Sequence, residues 1–131
     1  MSNFYEIDKK LNFADFLISR NGGSDNYASA AFKHVLSAAT MLIQELTDLD
    51  DTNVKSPQIV NKTMKRFEEP KAAEFSKFYI NLLKLASRPE LPAVEVEESI
   101  RKAKDFLKWV EDQRVAWSYC ELINSRNRLS Q

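Results

Sequence analysis

The segment Tyr27–Leu46, YASAAFKHVLSAATMLIQEL, decides the fold of this chain. Drawn as an α-helix, it is apolar around more than half of its circumference, and it holds the only histidine of the sequence, His34. A helix that is apolar around so much of its surface has to be enclosed by neighbouring helices or by a partner chain. The segment therefore predicts an all-α protein in which the other helices enclose this one.

Two apolar stripes run along this helix. The main stripe consists of Ala28, Phe32, Val35, Ala39, Leu42 and Leu46. The second stripe consists of Tyr27, Ala31, His34, Ala38 and Met41. We predict that the main stripe faces the core of a bundle and that the second forms a flank for a dimer mate or a ligand. Tyr27, His34 and Met41 are therefore candidate binding residues.

Breaker residues divide the rest of the chain into helices. The two glycines are adjacent, Gly22-Gly23, and the prolines stand at positions 57, 70, 89 and 92. Apolar periodicity between these breakers predicts helices over residues 3–20, 26–47, 57–67, 71–87 and 94–126, with a frayed polar tail after Ser125. No segment shows the alternation of a strand. We expect residues 1–131 to form one domain, an up-and-down bundle of four to five antiparallel helices.

The first and last predicted helices each carry a continuous apolar face. In the first helix, Phe13, Phe16 and Leu17 are expected to widen a face made of Phe4, Ile7, Leu11, Ala14 and Ile18. In the last helix the face is made of Val96, Ile100, Ala103, Leu107, Val110 and Trp117. Spacing of this kind suits antiparallel helix packing.

Local signals mark the helix ends. Asn21-Gly22-Gly23 favours a helix stop, because these residues accept a left-handed conformation, and Ser24 or Asp25 can cap the next helix. Ser56-Pro57 places a capping serine before a proline at the first helical position, which predicts the start of the third helix.

The composition argues against several classes of protein. The chain has 131 residues, with 44% hydrophobic and 29% charged residues, as in an ordinary globular domain. The 19 Lys and Arg residues balance the 19 Asp and Glu residues, which argues against a dedicated binder of nucleic acid or of anionic membranes. The single cysteine, Cys120, allows no intramolecular disulfide, and the sequence shows neither a signal peptide nor a membrane span. We expect a cytoplasmic protein.

Few residues suggest chemistry. His34 could take part in acid–base catalysis, but catalysis needs a positioned partner, and a metal site needs more ligands. A place at the core edge or in a dimer interface is the favoured interpretation for His34, with ligand contact as the alternative. Asp48, Asp50 and Asp51 do not fit a calcium loop, because Asn53 and Ile59 occupy the positions that require Gly and Glu. No metal and no cofactor is expected.

Two basic clusters and one tryptophan remain. The first cluster consists of Lys62, Lys65 and Arg66, and the second of Arg101, Lys102, Lys104 and Lys108. Acids interleave with the second cluster, so a solvated face with helix ion pairs is favoured over phosphate contact. Trp109 lies off the main stripe of the last helix, where it either contacts a partner or completes the core face.

Two segments resemble a known family. Residues 26–34, NYASAAFKH, resemble the second-helix signature of HEPN domains, the nucleotide-binding family of higher eukaryotes and prokaryotes. Residues 103–110, AKDFLKWV, resemble the last helix of that family, and the resemblance covers about residues 5–112. It implies a helical bundle that is frequently a homodimer.

The resemblance also implies one of two roles. Metal-independent ribonucleases of the family carry an arginine a few residues before a histidine, whereas the arginine nearest before His34 is the distant Arg20. The other branch consists of non-catalytic partners of minimal nucleotidyltransferases, often in toxin–antitoxin pairs. We therefore expect a non-catalytic module that binds a nucleotide or such a transferase, with a cleft or dimer groove near Arg20, Tyr27 and His34. A divergent ribonuclease that uses His34 and a purely structural dimer are the alternatives.

Overall fold

The computed structural model describes residues 3–20 and 27–129, with the backbone alone for Arg20 and for residues 117–129. Five α-helices lie in this part of the chain: α1 Phe4–Arg20, α2 Ala28–Thr47, α3 Pro57–Met64, α4 Pro70–Leu85 and α5 Ala93–Leu129. Two 3₁₀ turns, Asn53–Lys55 and Lys65–Phe67, flank α3. The described residues contain no strand, which confirms the predicted all-α helical bundle.

Helix α2 lies in the middle of the bundle. Its buried residues are Ala28, Ala31, Phe32, Val35, Ala38, Ala39, Leu42, Ile43 and Leu46. They include the whole predicted main stripe, which is therefore confirmed as core. The alanines let neighbouring backbones come close, and α2 packs most extensively on α1 and also contacts α3, α4 and α5.

Polar contacts at the helix ends show how the helices run. The backbone N–H of Asn3 donates to Glu45 Oε1 over 3.0 Å, so the start of α1 lies beside the end of α2. Lys104 Nζ lies 3.4 Å from Asp15 Oδ2, and Arg114 Nη2 lies 3.4 Å from Glu45 Oε2. Helix α1 therefore runs antiparallel to both α2 and α5.

Helices α3 and α4 form a pair against this three-helix group. The Ile59 N–H donates to Ser56 Oγ over 3.4 Å and Pro57 follows Ser56, as the sequence predicts. Helix α4 joins the pair to α5 through the ring of Phe75, which stacks on Phe106 with 4.5 Å between ring centroids. The apolar face predicted for α5 is buried from Val96 to Val110.

Three predictions about the helices are wrong. Phe13 and Phe16 do not widen the core face of α1, because they are 47% and 50% exposed on its other side. The third α-helix ends at Met64, and the remaining turn to Phe67 is 3₁₀. Helix α5 ends at Leu129, beyond the predicted end at residue 126, since no glycine or proline interrupts it.

Some predictions lie outside the described residues. These are the helix stop at Gly22-Gly23, the caps Ser24 and Asp25, and the side chains of Trp117 and Cys120. Within the helices that the structure does describe, none combines the length and the apolar character that a membrane span requires.

Candidate binding surfaces

Helix α1 has a second apolar face on its solvent side, which we call the aromatic stripe: Tyr5, Lys9, Phe13 and Phe16. These residues follow one another at intervals of three and four, so they share one side of the helix. Tyr5 is 72% exposed, Phe13 47% and Phe16 50%. The residues of the opposite side, Ile7, Leu11, Ala14 and Ile18, are buried in the core. An ordinary surface helix is apolar on one side only, so α1 carries more apolar surface than this bundle uses.

The side chains of the aromatic stripe contact one another in two pairs. The rings of Phe13 and Phe16 stack with 6.3 Å between centroids and an angle of 19°. Lys9 Nζ lies 5.2 Å from the centroid of the Tyr5 ring, within the range of a cation–π contact. Exposed aromatic residues are enriched at protein–protein interfaces, where they account for much of the binding energy.

His34 lies beside this stripe and is half-buried. Its ring meets the Phe13 ring edge to face, with 4.9 Å between centroids and an angle of 85°. Ala31 and Ala38, its neighbours on the predicted second stripe, are fully buried within this chain. The prediction that this whole flank is open to a ligand or a dimer mate is therefore wrong, because the buried alanines pack inside the bundle. The edge contact of His34 is what places the histidine against the aromatic stripe.

The remaining candidates are spread over the molecule. Tyr27 is 42% exposed, directly before α2. Met41 and Trp109 are half-buried and pack against the core. The side chain of Arg20 lies outside the described part. The structure therefore brings His34 together with Phe13, a residue that the sequence analysis assigned to the core.

The acidic loop after α2 is a capped turn. Asp50 Oδ1 accepts hydrogen bonds from the N–H groups of Thr52 and Asn53 at 3.1 and 2.7 Å. Asp51 Oδ1 accepts from Gln44 Nε2 at 2.9 Å, which ties the loop to α2. Among the described residues, no group of three metal-ligating side chains lies close enough to hold an ion. These carboxylates stabilise the turn.

A groove runs along α4, between α3 and α5, and we call it the α4 groove. Its volume is about 1380 Å³, and its walls hold members of both basic clusters, Lys65 from one and Lys102 from the other. Helix α4 adds Lys71, Lys77 and Lys84. The sequence patterns do not predict this groove, because its two basic clusters lie far apart along the chain. The recurrence of lysine at positions 77 and 84, on one side of α4, is the signal that could have indicated it.

A comparison with known proteins finds no matching family model, no matching curated protein and no matching solved structure. The resemblance to HEPN domains therefore rests on the sequence pattern of residues 26–34 and 103–110 alone.

Proposed function

We propose that this protein is a non-catalytic, cytoplasmic binding module of the HEPN type that acts as a homodimer. In this proposal two copies associate through their aromatic stripes, and the dimer binds a nucleotide or a minimal nucleotidyltransferase. The observation that carries the proposal is the row of exposed aromatic rings on the solvent side of α1. Burial of such a row would remove apolar surface from water and provide the aromatic anchors that are typical of interfaces.

The order of residues in the stripe fits a second copy of the same chain. If two α1 helices pair antiparallel about a two-fold axis between Asn12 and Phe13, Lys9 of each copy lies opposite Phe16 of the partner subunit. A lysine ammonium group over an aromatic ring is attracted by the electron density of the ring face. A two-fold axis makes this favourable pair twice, as an isologous interface requires.

The surroundings of His34 support a binding role over catalysis. A ribonuclease would need a base, an acid or an arginine placed at the imidazole. The ring that the structure places on His34 is Phe13, which contributes packing and no proton transfer. In this proposal His34 borders the dimer interface, and its edge contact fixes the orientation of the Phe13 ring that faces the partner subunit.

We expect the substitution Phe16→Lys to weaken dimerisation at least about tenfold, because it removes an aromatic anchor and places a second positive charge opposite Lys9 of the partner subunit. Sedimentation equilibrium of the wild-type chain and the variant at micromolar concentrations measures the change. The matched control is Val94→Lys, which places the same charge on an exposed apolar residue of α5 outside the stripe. Circular dichroism checks that both variants stay helical.

Two outcomes contradict this proposal. The first is a wild-type chain that sediments as a monomer at all concentrations up to the millimolar range. The second is a dimer that Phe16→Lys and Val94→Lys weaken to the same extent, since the interface would then lie elsewhere.

A further inference from the structure

The floor of the α4 groove contains a buried serine that lacks a hydrogen-bond partner. Ser76 lines the groove and is 3% exposed, and its Oγ is the only buried side-chain polar atom among the described residues without a partner. Buried polar atoms are nearly always hydrogen-bonded, since an unpaired hydroxyl loses its bonds to water without replacement. Ser76 lines the groove, so rotation of its side chain about the Cα–Cβ bond would turn this unpaired donor toward a bound ligand.

Other buried or half-buried hydroxyls of this chain donate a hydrogen bond to a carbonyl of their own helix. Ser99 Oγ donates to the carbonyl of Glu95 at 2.9 Å, and Thr47 Oγ1 donates to the carbonyl of Ile43 at 2.7 Å. Each bonds back to the residue four positions earlier on its own helix. Ser76 is also within a helix but makes no such bond. Its lack of a partner is therefore specific to the position in the groove.

Five lysines and four acidic residues line the groove, so its net charge is weakly positive. Lys65, Lys77 and Lys84 form no ion pair with a described acidic residue, although acids also line the groove. In contrast, Lys71 Nζ lies 3.7 Å from Glu74 Oε2, and Lys102 Nζ lies 3.4 Å from Glu98 Oε1. Three ammonium groups without a counter-charge can bind a phosphate, which carries close to two negative charges at neutral pH.

The groove also has an apolar wall residue. Ile80 of α4 is half-buried and lines the groove together with Ser76 and Lys65. Ile80 follows Ser76 by four residues, so both lie on the same side of α4. A ligand that places an anionic group at Ser76 and Lys65 therefore has apolar surface available for its carbon part.

We propose that the α4 groove binds a small phosphate ester. The phosphate oxygens accept from the Ser76 hydroxyl, turned toward the groove, and from the ammonium groups of Lys65 and Lys77, and the carbon part of the ester packs on Ile80. This inference rests on the binding role proposed above and deepens it by assigning a site and a ligand class. It does not depend on the aromatic stripe, which lies on a different helix.

Isothermal titration of the full-length chain with AMP, glycerol 3-phosphate and inorganic phosphate tests the site. We expect AMP or glycerol 3-phosphate to bind more tightly than inorganic phosphate, because only the esters have a carbon part. A preference for AMP over glycerol 3-phosphate identifies the ester as one with a ring. Affinity should fall as salt concentration rises, since salt screens the lysines.

Two substitutions separate a ligand site from a structural role. Ser76→Ala should weaken ester binding several-fold while the melting temperature stays unchanged or rises, because the substitution removes an unpaired buried hydroxyl. Lys65→Ala should weaken binding about fivefold or more through loss of one charge-assisted contact. The matched controls are Ser99→Ala, a buried serine outside the groove, and Lys62→Ala, an exposed lysine of α3 that does not line it.

The inference is overturned if neither ester binds at millimolar concentration, or if Ser76→Ala and Lys65→Ala bind the esters as tightly as their controls. Sedimentation and titration of the wild-type chain keep the two proposals apart. A wild-type chain that is dimeric but binds neither ester contradicts the groove site alone, and ester binding by a monomeric wild-type chain contradicts the dimer alone.

Discussion

Replacement of Phe75 by alanine is expected to lower the free energy of unfolding by about 3–5 kcal/mol. The side chain is fully buried, and its ring stacks on Phe106 with 4.5 Å between centroids and an angle of 14°. Truncation removes the transfer free energy of the ring, leaves a cavity and breaks an aromatic pair. The contact joins α4 to α5, so its loss also loosens the attachment of the α3–α4 pair.

Urea unfolding followed by circular dichroism measures this change. The matched control is Phe16→Ala, because Phe16 is half exposed and its truncation should cost below about 1 kcal/mol. Both variants are compared at protein concentrations low enough to keep the chain monomeric, since dimerisation would add to the stability of the wild type. Equal losses for the two variants would contradict the assignment of Phe75 to the core.

Apolar spacing predicted the core of this protein well. On α1, Ile7, Leu11 and Ile18 are buried as their intervals of three and four residues indicate. The same holds for α5, where Val96 and Val110 mark the ends of a buried face. Spacing succeeds here because residues that recur with the helical period must share a side, and the most continuous apolar side has the most area to bury.

The second apolar face of α1 could not be placed by apolar spacing alone. Phe13 and Phe16 are as apolar as the core residues, and periodicity alone cannot tell which of two apolar faces points inward. Packing decides the choice: the smaller Ala14 side lets α1 lie close to the alanine-rich α2. The aromatic residues consequently remain at the surface, where they form the candidate interface.

The α4 groove depends on packing over long sequence distances. Lys65 and Lys102 belong to separate clusters, and they line one groove only because α4 packs against α3 and its Phe75 ring stacks on Phe106 of α5. Ser76 resembles any helical serine in the sequence, because the missing bond to an earlier carbonyl is visible only in the structure. A single sequence therefore predicts neither the meeting of Lys65 and Lys102 in one groove nor the missing hydrogen bond of Ser76.

Replacement of Tyr79 by phenylalanine is expected to destabilise the fold by about 1–3 kcal/mol. Tyr79 is buried, and its hydroxyl donates to the carbonyl of Val54 over 2.9 Å, with Thr40 Oγ1 3.2 Å away. The bond fixes the 3₁₀ turn before α3 to α4. Phenylalanine keeps the ring packing but leaves the Val54 carbonyl without this donor, so the cost is that of an unpaired buried acceptor.

The same substitution should change the response to alkaline pH. Burial raises the pKa of Tyr79 above 10.0, and the contact with Thr40 opposes this rise in part. The folded protein holds the phenolic proton more tightly than the unfolded chain does. The stability that this proton contributes is therefore fully present below about pH 10, and it is lost as the pH rises through the raised pKa. Tyr79→Phe removes the ionisable phenol, so the free energy of unfolding of the variant should fall less steeply than that of the wild type above about pH 10.

Urea unfolding of the wild type and Tyr79→Phe at about pH 8 and about pH 10.5 tests both expectations together. The wild type should lose more stability than the variant between the two pH values, which narrows the difference between them. Tyr5→Phe serves as the control, because it removes the hydroxyl of an exposed tyrosine on α1 that takes no part in the contact between Tyr79 and Val54. If Tyr79→Phe loses as much stability as the wild type and Tyr5→Phe between the two pH values, the buried phenol does not account for the alkaline loss of stability. That outcome would contradict the coupling between the buried phenol and the α3–α4 pair.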